Sequence, residues 1–251
     1  MIATDNGRRV ALVTGGSRGI GLDIARRLAG EGFAVTVAAR KEAGVAAAAG
    51  RIEAEAGVPV LGVAADMADE QALGRLAAQH TERFGRLDVL VLAAGLGAEE
   101  TVGAIRTKAY DLQMGINLRA PVLLVRELLP LLRETAAAHP ERGSRVVALS
   151  SITGVAAEAG LSVYGATKAA LLSFCETLSL EESGNGVNAT AVAPGYVDTD
   201  MTAHLDGRLE RKSMLGVSDV SEMVLGLTRL SARAVVPSIV ISRAGSQLWR
   251  A

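Results

Sequence analysis

Aromatic side chains make up only 3% of this 251-residue chain, with three Phe, three Tyr and one Trp. Since 49% of the residues are still apolar, the core has to be built from Ala, Val, Leu and Ile, whose size suits close packing of helices on a sheet. A single cysteine, Cys175, excludes an internal disulfide and fits a reducing compartment; its expected role is that of a small buried hydrophobe. Charge of one sign is missing too. Lys and Arg number 26 against 27 Asp and Glu, with no basic or acidic block, which gives no support to nucleic acid or a membrane surface as partner. The three histidines, His80, His139 and His204, lack metal-ligand spacing, so no metal is expected. The start MIATDNGRR holds no apolar run of signal-peptide length, and no stretch approaches a membrane span. A soluble, cytoplasmic protein is the expectation.

Short Val-rich runs alternate with amphipathic stretches along the whole chain. The runs are 9–14, 33–39, 58–65, 87–94, 144–150, 187–193 and 238–242; too short for buried helices, they read as strands. Helical patterns fall near 19–30, 41–56, 69–84, 107–135, 162–183 and 219–232. This alternation predicts an α/β fold with a parallel sheet covered on both faces. No composition break divides it, so residues 1–251 read as one domain. Residues 196–216 interrupt the alternation with a polar, irregular stretch, as a lid over a site would.

The first strand runs into TGGSRGIG (14–21) and then a helix. Gly15, Gly19 and Gly21 let the backbone turn tightly and approach a pyrophosphate, while the helix N-terminus offers free N–H groups. Alone, such a triplet could merely cap a helix; the strand–loop–helix context favours a dinucleotide. Its identity follows from charge. An acid at the end of strand two would bind a ribose diol and repel a 2′-phosphate, and here Ala39 is followed by Arg40. Arg18 inside the loop and Arg40 would together clamp that phosphate, pointing to NADP(H), with NAD as the weaker alternative. Arg40 also reads as a solvated residue opening a helix. Asp66, ending strand three, suits either an adenine amino group or a helix cap.

Tyr164 and Lys168 stand one helical turn apart and share a face. A phenol of reference pKa about 10 is a poor base near neutrality; a neighbouring ammonium and an oxidised nicotinamide would lower it. On its own the pair is common on helix surfaces. Its company is less so. Ser151 ends strand five at the edge where open α/β sheets bind ligands, and its hydroxyl could stabilise a developing alkoxide. Asn117 lies mid-helix, where it could bend the helix and hold a water leading to Lys168. Pro194 and Gly195 turn the chain after strand six, leaving Thr199 for a carboxamide.

In this order and spacing, TGGSRGIG, Asn117, Ser151, Tyr164, Lys168 and PG…T resemble the short-chain dehydrogenase/reductase family, short single-domain type, over essentially the whole chain. The resemblance implies a doubly wound Rossmann sheet of seven parallel strands in the order 3-2-1-4-5-6-7. It implies a catalytic tetrad of Asn117, Ser151, Tyr164 and Lys168, and transfer of the 4-pro-S hydride. Cofactor contacts are implied for Ser17 and Ile20 in the loop, Ala94 and Gly95 after strand four, and Val197 after strand six, with Lys168 on the nicotinamide ribose. A homodimer or homotetramer packed through helices 107–135 and 162–183 is implied as well; both helices look too apolar for one sheet-facing stripe.

Two departures stand out. Leu92 replaces an asparagine that braces the sheet in the family, and the C-terminus, including Trp249, lacks the family's usual T-G…V-D-G-G run. The expected activity is reduction of a ketone or aldehyde, or oxidation of the matching alcohol. Polyol, sugar or hydroxysteroid dehydrogenases of the same family, and a non-catalytic NADP-binding sensor or scaffold, are the alternatives. Ile152, Val155, Leu161, Tyr196 and Met201 suggest a mostly apolar substrate pocket, and Glu181 and Glu182 do not offer the basic surface an acidic carrier protein would dock on. Asp198 and Asp200 read as loop caps.

Overall fold

A computed structural model describes residues 7–205, 207, 209–246 and 248. Trp249 lies outside them, as does the side chain of His204. Seven parallel strands pair in the order 3-2-1-4-5-6-7. They are β1 (Val10–Thr14), β2 (Ala34–Ala39), β3 (Val60–Ala64), β4 (Val89–Leu92), β5 (Ser144–Leu149), β6 (Val187–Pro194) and β7 (Ser238–Ile241). Between them run α1 (Gly19–Gly30), α2 (Glu42–Ala56), α3 (Glu70–Phe84), α4 (Thr107–Met114), α5 (Ala120–Ala138), α6 (Ser162–Glu182) and α7 (Val217–Thr228).

The period-2 alternation of each strand distributes its side chains between two cores. Leu12 and Leu90 join Leu73 and Leu76 of α3, Leu124 and Leu128 of α5 and Leu171 of α6 on one face. Val13 and Val91 join Ile24 and Leu28 of α1, Ile52 of α2 and Val220 of α7 on the other. The central strands β1, β4, β5 and β6 are buried throughout, which is why they read as continuous apolar runs. Cys175 is fully buried in the first of these cores, and burial pushes its thiol up to about 12. No described helix is long and apolar enough to cross a membrane.

Three local departures from expectation have clear causes. The helix expected at 107–135 is split by a π turn, Gly115–Arg119, and extends to Ala138. Asn117 sits in that turn and turns inward to the backbone of Leu96, so the irregularity belongs to a specific contact. The helix expected at 219–232 begins earlier because Asp219 accepts from the backbone N–H of Gly216 at 2.8 Å, and it ends at Thr228. Leu92 is buried in the α3/α5/α6 core, while the hydroxyl of Thr14 pins the end of β4 by accepting from Ala93 and Ala94 N–H at 3.1 and 3.2 Å.

His80 on α3 is fully buried beneath β2. Its Nε2–H donates to the Arg86 carbonyl (3.1 Å), which leaves Nδ1 to accept from Thr36 Oγ1 (2.8 Å). Burial holds its pKa down at about 4, from an ordinary 6.5. Between those values the unfolded chain binds a proton that the folded one refuses, so stability falls as pH drops through the window and is flat with respect to this group above it. The loss should be on the order of 3 kcal/mol. Urea midpoints between pH 7.5 and 4.5 should fall more steeply for the wild type than for His80→Gln; parallel slopes would contradict this.

Candidate active site

The glycine loop leaves β1 and enters α1 at the carboxyl edge of the sheet. Gly15 has φ +67°, and a Cβ there would lie 2.8 Å from Ala94 N; one on Gly21 would lie 2.5 Å from the Gly15 carbonyl. The loop therefore packs backbone on backbone, which only glycine permits. No side chain caps the helix at Arg18, so the first-turn N–H groups of α1 remain open to an anion. Gly19 faces Thr199, with 3.6 Å from its Cβ position to the threonine methyl, so the loop opposes the chain that follows β6. These features fit a dinucleotide. Ser17 lies in the same loop, its Cβ 3.9 Å from the Cβ position of Gly44 at the start of α2.

Arg40 is exposed at the end of β2. Arg18 is not idle, for its guanidinium donates to Asp200 at 3.1 Å, both side chains being about three-quarters exposed. Asp200 is thus an ion-pair partner of the glycine loop, and Asp198 pairs with Arg211 at 2.8 Å; beside them the Thr202 hydroxyl accepts from Thr199 N–H at 3.2 Å. Asp66 closes a turn onto Ala68 N–H (2.9 Å), and Asp69, not Asp66, caps α3.

A cleft of about 730 Å³ opens beside the loop. Its walls include Ile20, Gly95, Ser151, Tyr164, Lys168, Pro194, Gly195, Val197 and Thr199 from the residues singled out in the sequence. Asn117 stands behind it. Its amide accepts from Leu96 N–H (2.9 Å) and donates to Leu96 O (2.8 Å) and Thr167 Oγ1 (3.2 Å), binding the segment after β4 to α6.

Ser151 and Tyr164 meet because two glycines remove the bulk between the turn after β5 and α6. A Cβ on Gly154 would lie 2.6 Å from the Lys168 carbonyl carbon, and one on Gly165 2.9 Å from Thr153 O. Ser151 stands beside the Tyr164 hydroxyl, where it favours the phenolate, and accepts from Thr153 N–H and Oγ1 at 3.2 and 3.0 Å. Lys168 is buried, donates to Leu149 O at 2.7 Å, and lies 5.5 Å from the centre of the Tyr164 ring. Burial lowers its pKa to about 8. Burial raises the Tyr164 pKa, and the Ser151 hydroxyl opposes it. Two hydroxyls and a cation at one end of a cleft can hold a carbonyl oxygen and deliver a proton to it.

The rest of the wall is mostly apolar, with Leu161, Met201, Leu205 and Leu209. Ile152 is instead buried behind it and Val155 is exposed away from it. The sequence also gave no hint of Glu99, Glu158 and Arg243, which join Tyr196 in the cleft; they come from three separate loops and follow no periodicity.

Residues 9–209 match the short chain dehydrogenase family. Tropinone reductase-like 3 of Erythroxylum coca is 35% identical over 202 residues, 78% of this chain and 73% of its own length. A 3-oxoacyl-[acyl-carrier-protein] reductase of Bos taurus is 33% identical over 208 residues, 82% and 83% of the two chains. Among solved structures, the alcohol dehydrogenase of the archaeon Thermococcus sibiricus, complexed with 5-hydroxy-NADP, superposes with a TM-score of 0.86 at 26% identity, covering 96% of this chain and 98% of that one. The 3-ketoacyl-(acyl-carrier-protein) reductase of Brucella melitensis, complexed with NADH, does so with a TM-score of 0.83 at 26% identity, covering 93% and 96%.

The close approach at Gly154 can be tested against a neutral glycine. Gly154→Ala drives a methyl into α6 backbone that cannot yield, and should cost about 1–3 kcal/mol. Gly74→Ala, in α3 with nothing within 4 Å of its Cβ position, should instead stabilise by about 0.5–1 kcal/mol. Equal urea midpoints for the two variants would refute the packing described.

Proposed function

This chain belongs to the short-chain dehydrogenase/reductase family, and on that premise we propose that it is an NADP(H)-dependent oxidoreductase that reduces a ketone or aldehyde, or oxidises the matching alcohol, with Tyr164 as acid/base. The observation that carries the reading is the joint placement of Ser151, Tyr164 and the buried ammonium of Lys168 in one cleft beside an open helix N-terminus.

The nicotinamide supplies the hydride when bound. Tyr164 gives its phenolic proton to the carbonyl oxygen as that oxygen gains charge, and takes it back in the oxidative direction. Ser151 donates to the same oxygen and stabilises its negative charge. Lys168 holds a positive charge close to the phenol, favouring phenolate once the proton has left. Asn117 positions rather than reacts, fixing Leu96 and Thr167 around Lys168. Gly15, Ser17, Gly19, Ile20 and Gly21 cradle the pyrophosphate, Ala94 and Gly95 line the ribose side, and Pro194, Gly195, Val197 and Thr199 hold the carboxamide end. Asp66 serves the adenine amino group.

The NADP preference rests on Arg40 more than on Arg18. Arg40 has no hydrogen bond or ion pair among the described residues, so its guanidinium is available to a 2′-phosphate, and Ala39 puts no carboxylate there. Arg18 already holds Asp200. The same proposal takes residues 1–251 as one cytoplasmic domain, 196–216 as its lid, and a homodimer or homotetramer through helices 107–135 and 162–183, where Tyr110, Leu112 and Leu180 are exposed.

With a carbonyl panel and NADPH absorbance, the wild type should turn over at least one ketone or aldehyde. Tyr164→Phe should keep NADPH binding and lose turnover, and Ser151→Ala should lose roughly a hundredfold. Arg40→Ala should weaken NADPH about tenfold or more while sparing NADH, the worth of a charge-assisted contact. Retained turnover in Tyr164→Phe, or equal wild-type affinity for the two cofactors, would overturn the corresponding part.

A further inference from the structure

The end of the cleft away from the glycine loop carries a charge pattern unrelated to hydride transfer. The segment after β4 and the segment before α6 are clamped together: Glu100 N–H donates to Gly160 O at 2.8 Å, and Glu100 pairs with Leu161 in a parallel bridge. This clamp places two carboxylates on one rim. Glu99 packs on Gly160, its Cγ 3.1 Å from the Cβ position of that residue, and Glu158 stands two residues earlier. Both line the cleft.

Tyr196 faces them from the end of β6 and donates its hydroxyl proton to Glu158 Oε1 at 2.6 Å. With that proton committed, its phenol oxygen meets the cleft as an acceptor. Glu158 Oε2 is covered from water and takes no hydrogen bond, leaving the carboxylate short of the partners a buried charge requires. Arg243 sits across the ring, its guanidinium carbon 6.0 Å from the Tyr196 ring centre. At the Tyr196 hydroxyl the two carboxylates outweigh the guanidinium. Burial, then Glu158, then Glu99 push the Tyr196 hydroxyl far above its usual range, and only Arg243 opposes them.

We propose that Glu158 and Tyr196, with Glu99 beside them, select carbonyl substrates bearing an ammonium group remote from the reacting carbon, and disfavour substrates with a carboxylate or phosphate there. The ammonium donates to the Tyr196 oxygen and lies against the carboxylate behind it, completing a pair that the protein leaves negative. This deepens the carbonyl-reductase reading and rests on it for the position of the reacting carbon.

The test uses a shape-matched series with NADPH: 4-aminocyclohexanone, cyclohexanone and 4-oxocyclohexanecarboxylate. Wild-type kcat/KM should fall in that order. Glu158→Gln keeps an acceptor for the Tyr196 hydroxyl and should cut the ratio of the amino ketone to cyclohexanone about tenfold, as loss of a charge-assisted contact would; Glu99→Gln should move it the same way by less. Calorimetry with cyclohexylammonium and cyclohexanecarboxylate, which carry no carbonyl, reads the preference without turnover. Tighter ammonium binding with no ketone reduced would sustain the charge selection and sink the reductase reading. Ketone reduction with no charge order, a preference for the anion, or an unchanged ratio in Glu158→Gln would overturn the selection while leaving the reductase reading standing.

Discussion

A buried ammonium is the costly element around which the rest of the site is arranged. Lys168 has its pKa pulled from 10.5 to about 8 by burial, so keeping it charged at neutral pH costs on the order of 3 kcal/mol of folding stability. The fold answers with the Leu149 carbonyl at the end of β5 as a direct acceptor. It also pins the helix that carries the lysine, since Ser150 Oγ donates to Lys168 O at 2.7 Å and Gly154 lets the turn after β5 lie on the same backbone. The same two contacts bring Ser151 to Tyr164. One packing solution therefore sets the cation, the phenol and the hydroxyl together, and the chemistry proposed for them follows from that arrangement.

The opposite wall is held by weaker forces. Arg18 and Asp200 tie the glycine loop to the segment after β6, but both are largely exposed, and such pairs contribute little to stability. The bridge between Val197 and Leu215 closes the base of that segment, while Met201 at its tip is half exposed. A rigid floor opposed by a loosely tethered wall suits a site that admits a large cofactor.

Much of this was readable from the sequence for a physical reason. Buried parallel strands must be continuous apolar runs, and a four-residue spacing on a helix must put Tyr164 and Lys168 on one face, so periodicity alone reveals both. The strand order 3-2-1-4-5-6-7 came from resemblance, and the sheet has it. What periodicity does not encode stayed hidden. Asn117 was legible as a residue able to bend its helix, but its partner in the π turn, the backbone of Leu96, was not. The role of Thr14 in bracing β4 where Leu92 stands depends on strand neighbours. Glu99, Glu158 and Arg243 gather around Tyr196 from three loops, and each alone looks like an ordinary surface residue. Arg18 was legible as a cation near the glycine turn, but its tie to Asp200 required the fold of the segment after β6.

The central claim is that the cleft beside the glycine loop receives NADP(H) with its reactive end next to Tyr164. A crystal structure of the protein grown with NADPH measures this directly. The account predicts the pyrophosphate at the N-terminus of α1, the 2′-phosphate within hydrogen-bond reach of Arg40, and the nicotinamide between Thr199 and Tyr164. A cofactor bound in any other place, or with the 2′-phosphate away from Arg40 and the nicotinamide outside the cleft, would contradict it.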